Sequence, residues 1–149
     1  MTMTSSLRCG LIPYLIVRGA KEAVEFYRKA LGAQLLYELP MPDGKLGHAE
    51  LVIGSDHFML ADEFPEHDCM SPLARGGTSV TLTLYVEDVD AVLQQASAAG
   101  ATIERPARNE FYGDRVANIR DPYGHSWSLH TYIEDVSPEE MRRRMTSQV

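Results

Sequence analysis

Along the 149 residues, stretches with apolar side chains at every second position give way to stretches with apolar side chains three and four apart. The whole order of changes is run through twice. The first round opens with residues 11–17, an apolar run that predicts a strand, and Pro13 favours an edge or an irregular start. Gly19 opens a helix in which Ala23, Phe26, Tyr27, Ala30 and Leu31 share one face, and Gly32 closes it. Phe26 and Tyr27 lie on the stripe that must pack, so they read as core. Residues 33–39 predict a second strand, residues 41–45 a turn, and residues 46–53 and 57–61 a hairpin around Gly54, Ser55 and Asp56.

Residues 62–78, with Pro65, Pro72, Gly76 and Gly77, read as a linker or flap. The second round then begins. Residues 80–86 predict a strand, Asp88 an N-cap, and Val89, Val92, Leu93 and Ala96 a helical stripe ending at Gly100. Residues 102–107 predict a further strand, and a hairpin follows. Its turn is Asp121-Pro122-Tyr123-Gly124: Asp can bond the backbone ahead, Pro fixes its own φ, and Gly accepts positive φ. Beyond the turn Ser126, Ser128 and His130 alternate with Trp127, Leu129 and Thr131, which puts Trp127 in the core and the polar set toward a wetter space. Ser137, Pro138 and Glu140 supply an N-cap, a first-turn proline and a capping-box glutamate for a short helix to about Met145.

Leu15, Ile16 and Val17 match Leu84, Tyr85 and Val86, and Gly32-Ala33 matches Gly100-Ala101, at an offset of about 69 residues. Two copies of one strand-helix-three-strand unit follow. The chain reads as one α+β domain over residues 1–149, with module one at about 8–62, a linker at about 63–78, module two at about 79–133 and a terminal helix at about 137–146.

Composition narrows the function. With 44% apolar residues the chain can fill one core, and a net charge of -7 from 21 acidic and 14 basic side chains repels phosphate backbones, which argues against nucleic acid. Arg142, Arg143 and Arg144 stand beside Glu139 and Glu140 on the terminal helix and read as a solvated face. Cys9 and Cys69 lack C-x-x-C spacing, which fits passive thiols in a reducing compartment. The opening residues lack a secretory pattern and no apolar run reaches the length of a membrane span, so a cytoplasmic protein without a membrane partner is expected.

The repeated modules, the helix Ala23-Val-Glu-Phe-Tyr-Arg-Lys-Ala-Leu-Gly32, Phe111-Tyr-Gly-Asp-Arg115 and Asp121-Pro-Tyr-Gly124 resemble the vicinal oxygen chelate superfamily over nearly the whole chain. That group includes glyoxalase I, bleomycin- and fosfomycin-resistance proteins and extradiol dioxygenases. The chain looks most like its PhnB-like members. The resemblance implies two βαβββ half-barrels around a cavity lined by alternate strand residues. By parity Ile12, Tyr14, Thr81, Thr83 and Tyr85 face inward, with His48, Glu50, Met59 and Ala61 from the middle strands and Ser128 and His130 from the last. Whether the halves pair within one chain or by exchange between two is open at this level; family members commonly form dimers, and a homodimer is expected.

The four metal positions of metal-dependent members align with Ile12, Met59 or Ala61, Thr81, and Ser128, a poor ligand set, so neither metal nor other cofactor is expected. His48 and Glu50, two residues apart on one strand, are the candidate catalytic pair, or with His130 a displaced metal site. Phe111 and Tyr112 could stack on a planar ligand, and Arg115 could bind an anionic one or pair with a local carboxylate. His57, His67 and His125 fall at predicted turns and read as solvated. The resulting expectation is a protein that sequesters a small organic ligand, bleomycin-resistance fashion, through Tyr14, Thr81, Thr83, Tyr85, Phe111, Tyr112, Arg115, Ser128 and His130. The alternatives are a glyoxalase-like lyase or isomerase working through His48 and Glu50 or a nonstandard metal site, and a subunit with a vestigial cavity.

Overall fold

The strand that opens each round lies parallel to the strand that closes it. In the computed structural model, which describes residues 8–147, module one contains β1 (Tyr14–Val17), α1 (Ala20–Leu31), β2 (Gln34–Pro40), β3 (Leu46–Ile53) and β4 (Asp56–Asp62). Their sheet order is β1-β4-β3-β2. The linker carries one 3₁₀ turn, Pro65–His67, and the short α2 (Pro72–Arg75). Module two repeats the plan with β5 (Thr81–Tyr85), α3 (Val89–Ala99), β6 (Thr102–Asn109), β7 (Asp114–Arg120) and β8 (Ser126–Tyr132), in the order β5-β8-β7-β6. The chain continues into α4 (Pro138–Ser147). Each sheet has one parallel pair, β1 with β4 and β5 with β8, and is otherwise antiparallel.

The expected elements are present, with β1 confined to the residues after Pro13 and β7 reaching back to Asp114. Among the described residues no helix is long and apolar enough to cross a membrane.

Both long helices begin on a side chain from the last strand of their own sheet. Asp62 Oδ1 accepts from the backbone N–H of Gly19 (3.0 Å) and Ala20 (2.9 Å), and its Oδ2 accepts from Leu46 N–H (2.8 Å). A carboxylate suits the positive end of a helix. At the equivalent place in module two Thr131 Oγ1 accepts from Val89 N–H (2.8 Å), while Asp88 caps Ala91 N–H (3.2 Å).

The helices α1 and α3 pack on each other, and both sheets contribute their helix-side residues to one core. Phe58 of β4 meets Trp127 of β8 with ring centroids 6.0 Å apart, and Tyr27 of α1 lies 5.4 Å from Phe58 and 5.7 Å from Trp127. Each such aromatic pair adds about 0.5–1.5 kcal/mol beyond its buried area. The junction closes on Asp121, a buried carboxylate in the β7–β8 turn. Its Oδ1 accepts from Tyr123 N–H and His125 N–H (both 2.9 Å), and its Oδ2 accepts from Tyr27 Oη–H (2.5 Å) and Trp127 Nε1–H (3.0 Å). His125, expected in solvent, instead has Nε2 2.9 Å from Ile16 O in β1, because its turn packs against the other module.

Because the helix sides of the two sheets face one another, the polar sides face away from the shared core. Within the chain the halves therefore meet back to back. The linker is held to module one through Glu63, whose carboxylate accepts from Ser71 Oγ–H (2.5 Å), Ser71 N–H (3.1 Å) and Arg18 Nε–H (3.1 Å). Gly124, at φ 90°, lets the β7–β8 turn approach the linker: a Cβ there would come within 2.9 Å of Pro72 Cβ.

Tyr27→Phe removes one of two donors to Asp121 Oδ2 and should lower stability by about 1.5–3 kcal/mol in urea denaturation. Glu63 gives a pH signature. The Ser71 hydroxyl, against an opposing burial effect and helped by Arg18, pushes its pKa from 4.5 down to about 2. A lowered folded-state pKa contributes stability above the unfolded value that is lost as pH falls, so this share should disappear between about 4.5 and 2. Urea midpoints of Glu63→Gln should lie below wild type at neutral pH and change less across that window.

Candidate functional site

The polar face of module one is built by the two-residue period of β3, which sets His48 and Glu50 side by side, with Met59 and His57 presented by β4 and Tyr14 by β1. His48 Nδ1 lies 2.7 Å from Tyr14 Oη, and its ring lies 5.4 Å from that of Tyr14 and 5.5 Å from that of Tyr37. Glu50 is fully buried on this face. Both its oxygens accept from Arg8 Nη2 (2.9 and 2.8 Å), and Oε2 is 2.7 Å from His57 Nδ1. Burial by itself would raise the Glu50 pKa, but the hydrogen bonds from Arg8 and His57 hold it below the ordinary carboxylate value. His57, expected in solvent, is thus a half-buried partner of Glu50, placed there because the pairing of β4 with β3 sets it on the same side as Met59, diagonally across from Glu50. His67 is exposed as expected.

The polar face of module two carries a longer array. Asp114, Val116 and Asn118 of β7 lie opposite Tyr132, His130 and Ser128 of β8, and Thr83 and Tyr85 of β5 lie opposite Ser128 and His130. Arg108 Nη1–H donates to Asn118 Oδ1 (2.8 Å), Asn118 Nδ2–H to Ser128 Oγ (3.3 Å), Ser128 Oγ lies 2.8 Å from His130 Nε2, and His130 Nδ1 lies 2.8 Å from Asp114 Oδ2. Tyr85 Oη–H donates to the same Asp114 oxygen, and this bond, with partial burial, pushes the Tyr85 pKa up to about 12. Tyr112 and Tyr85 flank the His130 ring at 6.3 and 5.1 Å, and Phe111 stands edge-on to Tyr112 at 5.2 Å. Thr81 and Thr83 are exposed on this face.

The Phe111-Tyr112 loop is fixed from behind. Gly113, at φ 99°, has its carbonyl accepting from Ile133 and Glu134 N–H, and a Cβ at Gly113 would collide with Glu134 O. Arg144 of α4 donates to Phe111 O (2.9 Å) and pairs with Glu134 (3.0 Å), so one arginine of the basic run has a structural task.

The structure therefore gathers Tyr14, His48 and Glu50 on one face and Thr81, Thr83, Tyr85, Phe111, Tyr112, Ser128 and His130 on the other. Arg115 is on neither, because it shares its side of β7 with Ala117 and Ile119. There it pairs bidentately with Asp90 of α3 (2.8 and 3.0 Å), the local carboxylate alternative. His130 lies on a different face from His48 and Glu50, so the displaced metal site is not assembled within the chain. Nor do the family's metal positions fit a divalent ion. Ile12 and Met59 or Ala61 offer no hard donor, and the Ser128 hydroxyl is engaged by Asn118 and His130. Among the described residues no cluster of three or more His, Cys, Asp or Glu could hold a metal ion. Arg8, Tyr37, His57, Arg108, Asp114 and Asn118 were not singled out by the sequence as pocket residues. Extending the alternation of β8 across to β7 finds Asp114 and Asn118; no local pattern marks Arg8.

Comparison with known proteins agrees with this architecture. A family model described as the Glyoxalase/Bleomycin resistance protein/Dioxygenase superfamily matches residues 9–129. An uncharacterised protein of Mycobacterium tuberculosis is 41% identical over 150 residues, covering 99% of this chain and 88% of that protein. Among solved structures, TioX from Micromonospora has a TM-score of 0.67 at 26% identity, covering 85% of this chain and 100% of its own. The PhnB protein of Bacillus cereus has a TM-score of 0.65 at 20% identity, covering 83% and 99%. The paired βαβββ modules and the match over residues 9–129 make this chain a member of the glyoxalase/bleomycin resistance protein/dioxygenase superfamily.

Proposed function

We propose that the protein binds and sequesters a small, partly aromatic organic molecule in a cavity made by two copies of the chain, the module-one face of one copy closing over the module-two face of the other. The observation that carries this reading is the open pair of tyrosine-rich faces. Tyr14, Tyr37 and Tyr85 are 47%, 42% and 57% exposed on sheet sides that point away from the chain's own core. Aromatic walls with a few fixed polar groups are the usual make-up of a small-molecule site. A two-fold dimer sets unlike faces together twice, giving two equal cavities. In this reading His48 and Glu50, committed to Tyr14, Arg8 and His57, orient a ligand rather than move protons. The free Cys9 and Cys69 suit the reducing cytoplasm, where we place the protein.

Sedimentation velocity should show a dimer at micromolar concentration; a monomer throughout would contradict the shared cavity. A thermal-shift screen of planar antibiotics and metabolites should find compounds that raise the melting temperature and are recovered chemically unchanged, whereas a screen without any shift would favour the vestigial-cavity reading. With anilinonaphthalene sulfonate as a planar probe, Tyr14→Ala and Tyr85→Ala should each weaken binding about tenfold, the worth of about 1.4 kcal/mol of lost stacking.

A further inference from the structure

The hydrogen bonds of the module-two face form one continuous chain, with a guanidinium that only donates at one end and a carboxylate that accepts at the other. A guanidinium can only donate, so Arg108 obliges Asn118 to turn its oxygen toward it and its amide nitrogen toward Ser128. Asp114, as a carboxylate, can only accept, so His130 turns an Nδ1–H toward it, and the bare Nε2 of the neutral ring is left to accept from the Ser128 hydroxyl. Asp114, only 3% exposed, accepts from both His130 and Tyr85. A hydroxyl on the free lone pair of an imidazole whose other nitrogen donates to a buried carboxylate is the constellation that activates serine for acyl transfer, whatever the fold.

We infer that the module-two face is a serine acyl-transfer site, with Ser128 as nucleophile, His130 as general base and acid, and Asp114 as the residue that positions His130, acting on small carboxylic esters with an aromatic group. The inference goes beyond binding but rests on the same open face as the ligand site. Attack forms the bond from Ser128 Oγ to the ester carbonyl carbon as the serine proton passes to His130 Nε2 and the carbonyl pair moves onto oxygen. Collapse restores the carbonyl and breaks the ester C–O bond, and the alcohol leaves with the proton from His130. Water then repeats the exchange on the acyl-serine, releasing the acid and Ser128. Asn118 Nδ2, 3.3 Å from Ser128 Oγ, is the donor beside the developing oxyanion, and the Phe111–Tyr112 edge offers the aromatic group a wall.

The test is covalent labelling of the full chain with a small fluorophosphonate, followed by digestion and mass spectrometry. One label per chain, on Ser128, is expected, together with an initial burst on a nitrophenyl acetate ester. Ser128→Ala should abolish both while still melting cooperatively as a folded protein, at a somewhat lower temperature because Asn118 and His130 lose a partner. Asp114→Asn should lower kcat by about a hundredfold or more with KM little changed, since it disturbs the imidazole and not the pocket. Should Ser128→Ala fail to fold, Ser128→Cys supplies the readout: its thiol should react with iodoacetamide faster than Cys9 and Cys69 of the same chain. Folded wild-type protein that takes no label, or a label that persists in Ser128→Ala, would overturn the inference. Neither result would alter dimerisation or probe binding, so this proposal and the sequestration reading fail separately.

Discussion

The buried carboxylate of Asp121 is the constraint on which the arrangement of the two modules depends. It is low in exposure and carries charge, so it must be supplied with donors, and the donors come from three places: its own turn through Tyr123 and His125, the strand behind it through Trp127, and helix α1 of the other module through Tyr27. Tyr27 can reach it only if α1 lies against the β7–β8 turn, and that placement brings α1 onto α3 and Phe58 onto Trp127. The back-to-back pairing of the modules, and with it the outward aim of both polar faces, follows from satisfying one carboxylate.

The two modules share a backbone plan and have diverged in chemistry at equivalent places. The helix starts are met by the Asp62 carboxylate in one and the Thr131 hydroxyl in the other. On the polar faces, module one sets a glutamate between two cationic-capable partners, Arg8 and His57, while module two orders a chain of donors from Arg108 toward Asp114. The first makes a fixed charge pair; the second makes an imidazole with one free lone pair and a hydroxyl upon it. In the proposed dimer, equal geometry with unequal side chains would give the cavity two different walls, one suited to holding and one suited to chemistry.

Much of this was legible in the sequence because it rests on local period and on repetition. The offset between Leu15-Ile16-Val17 and Leu84-Tyr85-Val86 disclosed the two modules, and alternation in β3 and β8 placed His48, Glu50, Ser128 and His130 on polar faces. Asp121 was legible as the turn's own backbone acceptor, but its role for Tyr27, 94 residues earlier in the chain, was not, since nothing local marks a contact between modules. Arg115 illustrates the same limit: whether a guanidinium meets a ligand or a carboxylate depended on Asp90, across the sheet on α3. His125 departed from the solvent expected of turn residues because its turn packs on Ile16, brought from the other module, whereas His57 met Glu50 of the neighbouring strand within its own hairpin.

The most direct test of the central claim, that each site is completed by a second copy, is complementation between two disabled chains. One carries substitutions at Tyr14 and His48 on the module-one face, the other at Tyr85 and Tyr112 on the module-two face, and each alone should bind anilinonaphthalene sulfonate weakly. After mixing and subunit exchange, cavities shared between copies predict that heterodimers regain one wild-type site, built from the intact face of each partner. A mixture that binds no better than its two components would contradict the account and place the site within a single chain.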